Sequence, residues 1–202
     1  MSRSLIISGA SRGIGRGIAE HFLERGYEII GISRGSSSLK HDNYQHYCVD
    51  IRNYSDIRAF FSEVRGQSKE IFGLINNAGV GVYSSTEKRT KREIEKVVNT
   101  NLLGTLYFCL EALKKMKKRK TGKIINIGSI YGLVSSDKNI YGSSKRNNSE
   151  IYSATKASVI MLTKYLGSYY ADKNIQINCI SPGGVYNYQN KKFVKKYSKK
   201  TT

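Results

Sequence analysis

The pair in this sequence best suited to chemistry is a phenol placed four residues ahead of an amine. Tyr152-Ser153-Ala154-Thr155-Lys156 opens a segment of helical period, and positions i and i+4 share one face of a helix. A free tyrosine, with a pKa of about 10, exchanges protons poorly at neutral pH. An ammonium about 5 Å from the phenolate contributes roughly 3 kcal/mol at an effective dielectric of about 20, or about two pK units. Such a tyrosine can pass a proton to or from a nearby oxygen. The pattern occurs twice, because Tyr141-Gly142-Ser143-Ser144-Lys145 has the same spacing. That stretch is rich in glycine and serine and makes a poor helix. Residues 152–171 read as a continuous helix with apolar Ala157, Ile160, Met161 and Leu166. Tyr152 is therefore the favoured phenol and Tyr141 the alternative.

A second constellation could hold a phosphate. The apolar run 5–8 leads into Gly9-Ala10-Ser11-Arg12-Gly13-Ile14-Gly15, and an amphipathic segment follows. A strand that ends in a glycine turn and opens a helix brings bare backbone and free N–H groups to a pyrophosphate. Arg12 lies inside the loop, and Arg34 follows the second apolar run. An acid at that second strand end would accept from a ribose 2′-OH, whereas an arginine neutralises a 2′-phosphate. No Asp or Glu lies between Gly31 and His41, so NADP(H) is favoured and NAD(H) remains possible.

These residues need a frame. Runs 5–8, 28–32, 46–49, 71–75, 123–127 and 176–180 read as strands, too continuously apolar to be half exposed. Segments 14–25, 54–65, 91–118 and 152–171 read as helices. The alternation predicts an α/β fold, a single Rossmann-type doubly wound parallel sheet with helices on both faces. Residues 136–150 read as an exposed polar loop, and the Lys/Tyr/Asn-rich end from Tyr186 onward as a tail without a closing element. The division is a nucleotide-binding domain over 1–185 and a partial, basic segment over 186–202.

In this order the motifs resemble the short-chain dehydrogenase/reductase family. The resemblance rests on the glycine loop, Asp50, Asn76-Asn77-Ala78-Gly79, Asn101, Ser129, Tyr152 with Lys156, and Pro182-Gly183, each following a strand or lying on a helix. It implies a catalytic tetrad of Asn101, Ser129, Tyr152 and Lys156, with Asn101 acting on Lys156 through water. It also implies a cofactor site of Gly9, Ser11, Arg12, Gly13, Ile14, Gly15, Arg34, Asp50, Ile51, Asn77, Ala78, Gly79, Tyr152, Lys156, Pro182, Gly183 and Val185. Asp50 would meet the adenine ring, although capping the next helix is a plainer role for it. Tyr152 lies 30 residues before Pro182, near the family's usual interval, while Tyr141 lies 12 after Ser129, also near the usual interval. An insertion before Tyr152 reconciles the two. Tyr141-Gly142 of that loop, followed by segments 152–157, 162–166 and 180–185, resembles a subgroup of bacterial surface-sugar and flagellin-modification oxidoreductases, which implies a sugar or nucleotide-sugar carbonyl or alcohol as substrate. The alternatives are a 3-oxoacyl-[acyl-carrier-protein] reductase and a catalytically inactive NADP-binding regulator. Family members usually continue through a further strand, so the sixth strand is expected to lie open at the sheet edge. The long helices imply a homodimer or homotetramer.

Bulk properties set the outer bounds. The 202 residues are 39% hydrophobic, enough for one substantial core. The net charge of +19 arises from 34 Lys+Arg against 15 Asp+Glu. Its densest runs read as a solvated helix end and a tail; with no recognition motif, nucleic acid is not expected as a partner. No apolar run is long enough for a membrane span or a signal peptide, so a cytoplasmic location is expected. Cys48, Cys109 and Cys179 have no pair or metal spacing and are expected to be reduced, buried thiols. His21, His41 and His46 show no ligand spacing, and no metal is expected.

Overall fold

The computed structural model describes residues 4–66, 70–137, 139–141 and 147–201. Six strands form one sheet in the order β3-β2-β1-β4-β5-β6. They are β1 (Ser4–Ser8), β2 (Glu28–Ser33), β3 (Tyr44–Cys48), β4 (Ile71–Asn76), β5 (Gly122–Ile127) and β6 (Ile175–Ile180). Every pairing is parallel. The chain winds outward from β1 to β3, then returns to the other flank of β1 with β4. That reversal opens a crevice beyond the carboxyl ends of β1 and β4, the usual ligand position in such sheets.

The apolar runs are continuous because successive residues serve opposite layers. Ile6 and Ile30 join Phe60, Phe108, Leu113 and Leu166 in one core, while Leu5, Ile7 and Ile29 join Ala19 and Leu23 in another. The first core packs against α2 (Tyr54–Gly66), α4 (Gly104–Arg119) and α5 (Glu150–Tyr169), and the second against α1 (Gly13–Leu23). The predicted doubly wound parallel sheet is therefore the observed fold, and β6 forms one of its edges.

Several local expectations need correction. The segment predicted as one helix over 91–118 is interrupted: α3 (Lys91–Val97) passes through a wide π-helical turn, Val98–Leu103, before α4. Thr100 and Asn101 are buried in that turn, and Asn101 spends its amide on the backbone of Val80. Those bonds hold the extra residue in place, a common origin of π turns at functional sites. The loop 136–150 is less exposed than its composition implies, since Ile140 and Ser149 are buried and Ser149 caps α5. Residues 142–146 of that loop, including Lys145, lie outside the described residues. Beyond Tyr186 the chain does close, forming α6 (Lys191–Thr201). Phe193 and Tyr197 fall on one face of α6 and pack together, leaving the lysines to solvent. Finally, Cys109 is buried as expected, whereas Cys48 is exposed at the end of an edge strand.

Candidate active site

The glycine loop shows why three of its positions carry no side chain. Gly9 has φ +71 and Gly13 φ +56, the left-handed region that favours glycine. A Cβ on Gly15 would stand 2.3 Å from the Gly9 carbonyl oxygen, and one on Gly9 would stand 2.8 Å from Asn77 Nδ2. Asn77 knits the two strand ends together, donating to the carbonyls of Ser8 (3.0 Å) and Gly9 (3.3 Å). The buried Ser8 hydroxyl accepts from the backbone N–H of both Asn77 and Ala78 at 3.1 Å. At the start of α1, Arg12 occupies the cap position with extended backbone and no side-chain cap bond, and the first turn has no acidic residue. Ser11 and Ile14 flank this turn. The helix thus presents free N–H groups and a positive dipole end to the crevice, which suits an anion. Arg12 and Arg34 are exposed beside it. These features fit a dinucleotide pyrophosphate.

Asp50 and Ile51 follow β3. The carboxylate of Asp50 is held by Arg52, at 2.5 Å in the closest pair, and accepts from the Arg52 backbone at 3.0 Å. Those hydrogen bonds hold its pKa below the usual carboxylate range, with the charge of Arg34 adding to the effect. Ile51 is buried against Gly104. On the other flank, Ile130 N–H donates to the Pro182 carbonyl at 3.0 Å, fixing the strand end that leads to Gly183 and Val185. Gly183, Gly184 and Val185 are exposed, and Tyr197 of α6 packs over Gly184.

The four candidates for proton chemistry converge at the ends of β4 and β5. Ser129 follows β5, accepts from the backbone N–H of Tyr131 at 3.1 Å, and lies near enough to the Tyr152 phenol to lower its pKa. Lys156 lies one turn beyond Tyr152, its Nζ 5.8 Å from the phenol ring centre and donating to the Ile127 carbonyl at 2.6 Å. Asn101 does not touch Lys156. Its Oδ1 accepts from Val80 N–H at 2.8 Å, and its Nδ2 donates to the Val80 carbonyl (3.0 Å) and to Thr155 Oγ1 (3.3 Å). Gly79 sits between them: a Cβ there would be 3.5 Å from both Asn101 Oδ1 and Lys156 Nζ. Tyr141 packs against Phe193 of α6, its ring tilted by 39° with centroids 5.7 Å apart. Burial, together with the neighbouring Tyr141, pushes the Tyr131 pKa well up.

The electrostatics differ from the simple expectation that Lys156 acidifies Tyr152. Burial raises the Tyr152 pKa, and the hydrogen bond from Ser129 opposes it. Burial also pushes Lys156 down to about 8, because no carboxylate compensates the ammonium. The reason is geometric: Nζ is turned toward a backbone carbonyl instead of the phenol oxygen. At neutral pH this leaves a protonated phenol beside a lysine close to its own titration.

Some participants were not legible in the sequence. Thr155 is buried, donates to the Tyr152 carbonyl at 2.8 Å and accepts from Asn101, linking the π turn to α5. Beneath the crevice lies a buried polar cluster: Asn76 Nδ2 donates to Asn126 Oδ1 (2.8 Å) and Asn126 Nδ2 to Thr163 Oγ1 (2.9 Å). Cys109 joins it, its thiol pushed up to about 12 by burial. The side chain of Arg89, only 3% exposed, braces the start of α5 through Glu150 at 3.1 Å. A cleft of about 570 Å³ opens beside that helix start, lined by Tyr131, Ser135, Asn147, Asn148 and Ser153 among others. It meets the site through Tyr131. Single polar residues on separate strands and helices make no pattern of their own, so only the fold could assemble them.

Among the described residues no group of three or more His, Cys, Asp or Glu could hold a metal ion, and no helix is long and apolar enough to cross a membrane. The short chain dehydrogenase family model matches residues 3–198. A short chain dehydrogenase from Leptospira borgpetersenii, solved with bound NAD+, superposes with a TM-score of 0.93 at 34% identity, covering 99% of this chain and 78% of that one. ElxO with NADP bound superposes at 0.82 and 28% identity, covering 100% of this chain and 80% of that one. A 3-oxoacyl-[acyl-carrier-protein] reductase from Staphylococcus aureus is 31% identical over 193 residues, 91% of this chain and 74% of that protein. With the glycine loop, the Asn77 tie and the Ser129–Tyr152–Lys156 grouping all in register on a parallel sheet, the chain belongs to the short-chain dehydrogenase family of oxidoreductases.

Proposed function

We propose that this chain is an NADP(H)-preferring oxidoreductase that interconverts a carbonyl and a secondary alcohol, with Tyr152 as the proton donor and acceptor. The observation that carries the reading is the Tyr152 phenol, with Ser129 close enough to lower its pKa and Lys156 one helical turn on, beside the mouth of the glycine-loop crevice. A bound nicotinamide dinucleotide supplies or takes up the hydride. The residues of the chain do the rest. Gly9, Gly13 and Gly15 admit the pyrophosphate, and the start of α1 stabilises its charge. Asn77, Ala78, Gly79, Pro182, Gly183 and Val185 line the course of the dinucleotide, with Asp50 and Ile51 on the adenine side. Ser129 orients the substrate oxygen, and Tyr152 delivers its proton to that oxygen during reduction. A phenol held protonated by burial suits this direction. Lys156 assists from beneath, and Asn101 fixes Val80 and Thr155 around it. NADP(H) is favoured by Arg12 and Arg34 and by the lack of an acid over 31–41; the two solved relatives, one with NAD+ and one with NADP, are compatible with either cofactor.

For the substrate, a sugar or nucleotide sugar is supported by the hydroxyl- and amide-rich cleft beside Tyr131 and by the lysines of α6, which suit a ligand with phosphates. A second reading, a 3-oxoacyl group on an acidic carrier protein, is favoured by the 31% identical relative of that name. NADPH consumption measured with a nucleotide-linked keto sugar and with a 3-oxoacyl carrier-protein thioester separates the two. Turnover of the first alone supports the sugar reading. Turnover of the second alone replaces it, and turnover of neither, with other ketones also inert, removes the enzymatic proposal.

A further inference from the structure

The turn after β2 is held by a hydrogen-bond chain from β3 that the proposed chemistry does not use. His46 Nε2 lies 2.9 Å from the Gly35 carbonyl and 2.9 Å from Ser33 Oγ, and Ser33 Oγ itself lies 2.6 Å from the same carbonyl. Proton accounting fixes the roles. A carbonyl only accepts, so the Ser33 hydroxyl donates to Gly35 and can then only accept from His46. The Nε2 atom therefore carries a proton, and in the neutral ring Nδ1 accepts from the Tyr44 hydroxyl, 2.9 Å away. Within the turn, Ser37 Oγ accepts from the Leu39 N–H at 3.2 Å. From α1, Arg16 Nη1 donates to Ser38 at 2.9 Å. The turn is thus tied at Ser33, Gly35 and Ser38, and Arg34 starts between the first two ties.

The arrangement dictates a residue on the neighbouring strand as well. A Cβ on Gly31 would stand 2.3 Å from the Tyr44 hydroxyl, so the phenol crosses β2 only because that position is glycine. The same strand end is joined to the glycine loop, since Gly9 N–H donates to the Ile32 carbonyl at 2.7 Å. Whatever fixes the turn therefore fixes it relative to the start of α1.

We propose that His46 and Tyr44 are positioning residues for cofactor choice: they hold the turn 33–38 so that Arg34 and the Ser38 hydroxyl, which accepts from Arg16 and keeps its own proton, form a cradle for a phosphate on the adenosine 2′ position. This rests on the reading that Arg34 faces that ribose. The chain Tyr44–His46–Ser33 runs under the turn without exposing a carboxylate, so the cradle offers the Ser38 donor and the Arg34 cation to a dianion.

The test is calorimetric titration of the full chain with adenosine 2′,5′-bisphosphate and with 5′-AMP, which lacks the 2′ group. The wild-type chain should prefer the bisphosphate. In His46→Leu and Tyr44→Phe the preference should fall about tenfold and severalfold respectively, the scale of losing hydrogen bonds that orient charged donors. His46→Gln, which can keep a donor near Nε2, should retain most of it. Thermal unfolding confirms which variants are folded, and Tyr44→Phe, which removes one oxygen, carries the test if His46→Leu does not fold. No preference in the wild-type chain would overturn the 2′-phosphate reading itself. A wild-type preference lost in Arg34→Ala but intact in folded His46→Leu or Tyr44→Phe would overturn the positioning role alone. Equal loss for both ligands would also overturn it, by reducing these residues to a structural role.

Discussion

The buried Lys156 ammonium should weaken the fold it serves, and the amount can be worked from its surroundings. The side chain is about nineteen-twentieths buried, with a backbone carbonyl as its acceptor and no carboxylate opposite. Its pKa falls from the ordinary 10.5 to about 8, and that difference corresponds to about 3 kcal/mol. The sign follows from proton binding. Below pH 8 both folded and unfolded states hold the proton, and the penalty is fully present. Between about 8 and 10.5 the unfolded chain keeps the proton and the folded chain loses it, so stability rises with pH. From pH 7 to pH 9.5 this group alone should add about 2 kcal/mol. Lys156→Met removes the charge and keeps much of the volume. At pH 7 it loses the bond to the Ile127 carbonyl, worth about 1–3 kcal/mol as an unsatisfied acceptor, so the variant should gain about 1 kcal/mol net. The assay is urea unfolding of wild type and variant at both pH values, comparing the difference between them so that other titrating groups cancel. The advantage of the variant should vanish and reverse by pH 9.5. A difference that does not change with pH would refute the reasoning, because the cost would then not reside in a desolvated cation.

Two further outcomes follow from close contacts. Gly15→Ala places a methyl 2.3 Å from the Gly9 carbonyl oxygen, so it should destabilise by about 1–3 kcal/mol and lose dinucleotide binding, read by thermal unfolding and by NADPH fluorescence titration. Thr163→Val removes the acceptor for Asn126 Nδ2 in the buried cluster and should cost about 1–3 kcal/mol in urea unfolding, while Ser158→Ala, on the exposed face of α5, should cost little.

The strands were legible because the apolar residues of β1, β2 and β4 are divided between two cores, which leaves nearly continuous apolar runs. The helices α1, α2 and α5 declared themselves by period. The π turn did not, because it depends on Asn101 finding the Val80 backbone across the crevice, a contact no local pattern encodes. The helix α6 was missed since only Phe193, Val194 and Tyr197 mark its inner face among six lysines, and its partner Tyr141 is distant in sequence. The Tyr152 and Lys156 pair was readable from spacing alone, yet the direction of their pKa values was not. Burial, which sequence does not reveal, is the main cause of both shifts. His46 looked idle because its role lies in a turn ten or more residues away.

Turnover of Tyr152→Phe, measured alongside NADPH affinity, goes most directly to the heart of the account. Carbonyl reduction should fall at least about 100-fold, the usual weight of a lost general acid, while NADPH binds within about twofold of wild type and Tyr141→Phe stays active. Undiminished reduction by Tyr152→Phe, or its loss in Tyr141→Phe instead, would contradict the assignment of the proton to Tyr152.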